Sequence, residues 1–173
     1  MQQVKWIERS FTFNIPVELL PAVLERLRGA TARIKEIALA ITDNEAAFKP
    51  NDKWSIKEHI GHLADLEILH KKRIEEFIQK KEILSAADME NTVTKIANHN
   101  TTFTEQLIND FTTKRLQFIK HIEQLEIEIM QFKSIHPRLK MEMSPVDFCF
   151  FVAEHDDHHI LSMRSIQTSL KKV

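Results

Sequence analysis

Apolar residues recur at intervals of three and four along four long stretches of the chain, the spacing that turns one face of an α-helix toward a core. Leu20, Val23, Leu24, Leu27, Ile34, Ile37, Ala38 and Ile41 mark the first, over about 16–41, with Gly29 as its weak spot. The second begins at Ser55, which with Glu58 makes an S-x-x-E capping box, and continues to about Gln79. The loop Asn51-Asp52-Lys53-Trp54 leads into it. A third begins near Thr102, where Thr102 and Glu105 repeat the capping-box pattern, and runs to about Glu128. The fourth starts at Ser144-Pro145, an N-cap residue followed by proline at the first helical position, with Asp147 in the first turn, and can run to the C-terminus. The breakers His136-Pro137 precede it.

Four helices of ~20–28 residues, each with an apolar stripe, predict an all-α four-helix bundle. The connection over residues 84–98, with room for a short helix of its own, exceeds the ~2–8 residues usual between bundle helices. It can therefore cross the bundle and leave the second and third helices parallel. No repeat or linker divides the sequence, so residues 1–173 are expected to form a single domain.

Composition narrows the reading further. With two glycines and five prolines in 173 residues, 43% of them hydrophobic and 28% charged, the chain lacks the makeup of collagen, linkers or disorder, and an all-β fold would need more turn residues. Lys and Arg (24) nearly balance Asp and Glu (25), without the basic excess that nucleic-acid binding requires. The clusters Lys71-Lys72-Arg73 and Lys80-Lys81 are interleaved with Glu75, Glu76 and Glu82 and read as a solvated helix face. A lone cysteine, Cys149, points to a reducing compartment. No signal-like segment opens the sequence and no apolar run approaches the ~18 residues of a membrane span, so a soluble cytoplasmic protein is expected.

Nine histidines remain to be explained. With about 100° of turn per residue on the fourth helix, Val152, His155, His159, Met163, Ile166 and Leu170 fall within about 60° of Phe148. His155 and His159 thus lie in the centre of the core stripe, one turn apart, at the i, i+4 spacing by which two imidazoles share a metal ion. A purely structural core has little use for two adjacent imidazoles, whose nitrogens all need partners. His158 points about 80° away from the stripe centre and is expected at the edge of a pocket or interface rather than as a ligand.

A catalytic zinc site commonly takes a third protein ligand and leaves a position open. The second helix offers His59, His62 and His70. Its stripe centres on Ile56, Ile60, Leu63, Glu67, Ile74 and Ile78, with His62 on the flank beside Leu66, Leu69 and Arg73, so periodicity slightly favours His59 or His70 and does not choose among the three. His99, His121 and His136 stand in polar or loop-like contexts and read as surface residues. Cys149, about 100° from the stripe, reads as packing, and Trp54 as a core or lid residue.

Trp54-Ser55-Ile56-Lys57-Glu58-His59-Ile60-Gly61-His62-Leu63-Ala64-Asp65 resembles the "W-s-x-x-e-x-x-x-H-L-x-d" segment of the DinB/YfiT-like family of metalloenzymes. Glu154-His155-Asp156-Asp157-His158-His159-Ile160 resembles that family's closing "H-x-x-H-H" segment, about 90 residues further on, as the family has it. The resemblance covers nearly the whole chain from Pro16 onward. It implies a bundle in up-down-down-up order and a divalent metal, zinc or nickel, held by His62, His155 and His159. It also implies a small-molecule substrate, and a homodimer is expected because family members often dimerise; no helical face here establishes an apolar patch for one.

Three neutral imidazoles leave an ion its full charge and an open position, which can lower the pKa of water toward 7 or ionise a thiol. The resembled family includes S-transferases that use low-molecular-weight thiols, thiol-assisted isomerases and metal-dependent hydrolases. Thiol transfer is the leading expectation, with hydrolysis second, and a non-catalytic metal-binding bundle serving dimerisation is the alternative of a different class. Glu58, Asp65, Glu154, Asp156 and Asp157 lie near the histidines, where they could orient a ligand's second nitrogen, although such residues usually form a solvated face.

Overall fold

Ion pairs and hydrogen bonds between long helices set the direction of each in the computed structural model, which describes residues 4–170, the side chain of Asp52 excepted. The helices are α1 (Leu20–Ala38), α2 (Asp43–Ala46), α3 (Ile56–Ile78), α4 (Thr92–Ala97), α5 (Thr104–Glu123), α6 (Ile127–Gln131) and α7 (Pro145–Leu170). Two short strands, β1 (Ser134–Ile135) and β2 (Glu142–Met143), pair antiparallel between α6 and α7. Arg26 pairs with Glu154 and Asp157 near one end of α1, and Arg164 with Glu36 near the other, so α1 and α7 are parallel. Asn100, just before α5, bonds Ser55 at the start of α3, while His121 meets Glu75 near both C-termini, so α3 and α5 are parallel too. Arg28 reaches Glu123 at the far end of α5, which sets the two pairs in opposite senses. The result is an up-down-down-up four-helix bundle. The long connection after α3 returns the chain to the end where α3 began, as a parallel neighbour requires.

Local signals explain the helix starts. Ser55 and Glu58 close a full capping box on α3, and Ser144 and Asp147 bond reciprocally at the head of α7. Asp147 also accepts the N–H groups of Asn14 and Ile15, pinning the N-terminal segment to the bundle. The box expected at Thr102 and Glu105 does not form. Instead, α5 starts two residues later, and Asp43, from distant α2, accepts both Thr104 N–H (2.8 Å) and its hydroxyl (2.7 Å). The third helix also stops at Glu123 rather than about Glu128, because the chain turns into α6 to bring Met130 into the core.

The core consists of two apolar clusters. One gathers Leu27, Phe77, Phe118, Ile122 and Phe148, the other Ile34, Ile60, Phe111, Ile108 and Met163. Between them lies a polar layer. Arg115 is 1% exposed and donates to Glu67 (2.8 Å from Nε) and to both oxygens of Asp156. Burial drives the Asp156 carboxyl up despite Arg115; burial also pushes on Glu67, but there Arg115 and His70 win and the carboxyl lies below its ordinary range. Asp156 is therefore no part of a solvated face. Arg73 and Glu76 depart from that expectation as well, since both are buried and hold Ser85 of the long connection. Cys149 packs in the core as expected, its thiol pushed up by burial. Among the described residues, no helix is long and apolar enough to cross a membrane.

Candidate metal centre

Where the polar layer interrupts the core, α3 and α7 turn histidines toward each other. One ligating nitrogen from each of His62, His155 and His159 lies within 4.8 Å of the other two, and all three residues are buried. Nε2 of His159 stands 3.1 Å from Nε2 of His155. Two nitrogens bound to one ion at about 2.0–2.1 Å are separated by roughly this span, so the donor set fits a divalent cation. Among the described residues no fourth His, Cys, Asp or Glu joins the three.

The second nitrogens of His62 and His159 are also engaged. The Thr94 hydroxyl donates to Asp65 (2.9 Å) and so accepts from His62 Nδ1–H (3.1 Å), which leaves the His62 Nε2 lone pair for the site. Asp65 is held in turn by His99 Nε2 at 2.9 Å. His159 Nδ1 meets His59 Nδ1 at 2.8 Å, so a His159 that offers Nε2 to an ion donates its Nδ1–H to His59. His59, which the periodicity of α3 favoured, thus stands behind a candidate ligand. His70 instead faces Glu67 (3.4 Å) and the rings of Phe118 and Phe148. His158 lies at the edge, against Trp6 and His159.

Burial lowers the basicity of His59, His62, His155 and His159. His59 falls to about 3 and His62 to about 4, and His155 and His159 fall well below 6.5, in each case first through desolvation; neighbouring histidines lower them further, while Asp65 opposes the fall at His62. The cluster is neutral at physiological pH, the protonation state that binds a metal. Trp54 and Trp6 flank it, with ring centroids 4.7 Å from His62 and 4.8 Å from His155.

Two histidines expected at the surface are buried: His99 in the Asp65 relay and His136 beside Phe151. His121 stays partly exposed, away from the cluster. Their placement depends on the long connection and the β1–β2 hairpin, neither of which has a helical period to read. Each of the five nearby carboxylates is occupied. Glu58 caps α3, Asp65 serves Thr94 and His99, Asp156 holds Arg115, and Glu154 and Asp157 pair with Arg9, Arg26 and Arg33. Two cavities open on the cluster. One, of about 250 Å³, is lined by His62 and Asp65; the other, of about 290 Å³, by His155, and they adjoin across Leu66, Leu69 and Ala86.

A family model described as the DinB superfamily matches residues 26–163. Among solved structures, YfiT from Bacillus subtilis, described as a probable metal-dependent hydrolase with an unusual four-helix bundle topology, superposes with a TM-score of 0.81 at 15% identity, covering 95% of this chain and 94% of that one. A mycothiol-dependent maleylpyruvate isomerase superposes with a TM-score of 0.68 at 13% identity, over 88% of this chain and 63% of the isomerase. At these identities the likeness is one of fold. No curated protein matches the chain.

Proposed function

The chain belongs to the DinB superfamily, and from that premise we propose that it is a divalent-metal-dependent enzyme whose ion is held by His62, His155 and His159. The observation that carries this reading is the convergence of three buried, neutral imidazoles from two helices, each able to direct one nitrogen to a common point. Zinc and nickel suit such a donor set. When bound with a position open, the ion lowers the pKa of water or of a thiol and so supplies a nucleophile near neutral pH. The protein's own residues orient the ligands: Thr94 and Asp65 hold His62, and His59 holds His159. Trp6 and Trp54 keep bulk water from the flanks.

Transfer of a low-molecular-weight thiol to an electrophilic small molecule is the reaction we favour over hydrolysis. Two adjoining cavities, one at His62 and one at His155, suit two reactants meeting at one centre. Hydrolysis is the second reading, supported by the kinship in fold with YfiT.

Elemental analysis tests the centre. Purified protein should carry about one Zn²⁺ or Ni²⁺ per chain, and the His155→Ala, His159→Ala double variant should carry almost none. Unchanged metal content in that variant would refute the assignment. A screen of thiols such as bacillithiol and glutathione against electrophilic acceptors tests the reaction; turnover of an ester or amide with silence across the thiols would make the protein a hydrolase.

A further inference from the structure

The cavity at His155 differs from its neighbour in charge. Arg73, Arg138, His136, His70 and Trp6 supply its polar lining, and no carboxylate does so among the described residues. Arg73 spends Nε and Nη2 on the carbonyl of Ser85, at 3.0 and 2.8 Å, which leaves its Nη1 edge. Arg138 carries a buried Nη2 with no hydrogen-bond partner, and its guanidinium lies 5.9 Å from the Trp6 ring centroid. His136 Nδ1 accepts the Leu139 N–H at 3.2 Å, which places the remaining proton on Nε2 as a donor. Burial lowers the Arg73 pKa to about 10; Glu76 opposes the fall and Arg138 adds a smaller push in the same direction as burial.

A buried Arg73 and a half-buried Arg138, whose Nη2 is itself buried without a partner between the bundle and a short hairpin, are costly unless an anion completes them. Planar guanidinium donors match a carboxylate. At about 290 Å³ the cavity has room for roughly ten waters' volume, enough for a small organic acid and too little for a polymer.

We propose that this cavity is a carboxylate-binding subsite, in which Arg73, Arg138 and the His136 Nε2–H hold the anionic group of a small-molecule substrate with its reacting portion toward His155. The assignment deepens the metal-enzyme reading and rests on it for the direction of the substrate. The carboxylate can belong to the electrophilic acceptor or to the thiol, and the acceptor screen above, run with acids and their amides, separates the two.

Calorimetric titration with succinate, its neutral isostere succinamide, and inorganic phosphate tests the subsite. Succinate should bind the wild-type protein and the His62→Ala, His159→Ala variant with similar affinity, while succinamide should not compete. Arg138→Gln should weaken succinate binding about tenfold or more and leave metal content unchanged, and because the buried Nη2 of Arg138 has no hydrogen-bond partner among the described residues, this variant should remain folded. Arg73→Gln should weaken it similarly, with circular dichroism checking that the Ser85 segment still docks. Unaltered affinity in Arg138→Gln, equal binding of succinamide, or preferential binding of phosphate would overturn the proposal. Loss of succinate binding with the metal ligands would also overturn it, since the ion would then hold the carboxylate. Wild-type protein that carries no metal yet binds succinate through Arg138 would instead refute the metal centre and support the subsite.

Discussion

The imidazole of His99 lies over the bare Cα of Gly61, so close that a methyl group built there would stand 2.2 Å from the ring's Cγ. His99 cannot retreat easily, because it is buried and its Nε2 is bonded to Asp65. Gly61 therefore exists for contact between α3 and the long connection, one residue before a candidate ligand. Gly61→Ala should cost about 1–3 kcal/mol and weaken metal binding as His62 shifts. The other glycine behaves oppositely. Nothing lies within 4 Å of a Cβ at Gly29, inside α1, so Gly29→Ala should stabilise by about 0.5–1 kcal/mol. Urea denaturation of the two variants should move in opposite directions.

Lys80 ends α3 in the left-handed region, at φ 52°, where the Lys80 and Lys81 N–H groups close back on Phe77 and Glu76. A side chain in that conformation is strained and glycine is not. Lys80→Gly should raise stability by about 0.5–1 kcal/mol, the relief of strain being partly offset by the entropy of the unfolded chain.

Arg115 balances two buried carboxylates, and its removal leaves both unpaired. Arg115→Met alone should destabilise by about 3–5 kcal/mol. Adding Glu67→Gln and Asp156→Asn should recover a large part of the loss, since the buried charges then disappear together. A single-variant cost below about 1 kcal/mol would contradict the buried layer.

Acid should weaken the metal-free protein earlier than carboxylate titration would. Burial holds His59 and His136 at about 3 and His62 at about 4, against 6.5 when unfolded. Between those values the unfolded chain binds protons that the folded chain does not. The contribution of these groups is complete above about pH 7 and is lost as pH falls from about 6.5 to about 4 for His62 and to about 3 for His59 and His136. Denaturation at pH 7.5 and pH 5 in the presence of a chelator should show the drop; a flat profile would mean that the imidazoles are solvated.

His59 should influence the metal without binding it. His59→Phe keeps the ring and removes the acceptor for His159, and should cost about 10–100-fold in metal affinity, measured by competition with a chromogenic chelator. Unchanged affinity would mean that His59 only packs.

Much of this architecture is legible locally. The capping residues Ser55 and Ser144 act through atoms three residues away, and the stripe of α7 places His155 and His159 on one face, because helical geometry depends on near neighbours alone. The start of α5 is not legible in this way for the converse reason: its cap comes from Asp43, 61 residues earlier.

Four amphipathic helices and a pair of imidazoles one turn apart can be read from the chain alone, since both follow from period and capping. Tertiary packing decided which histidine of α3 meets that pair, because the rotation of a helix depends on everything packed around it. It also buried His99 and His136, turned Asp156 inward to Arg115, and brought Arg73 to Arg138 across a hairpin. Those relationships join residues far apart in the chain, and their energies arise from desolvation and charge that exist only once the bundle has closed.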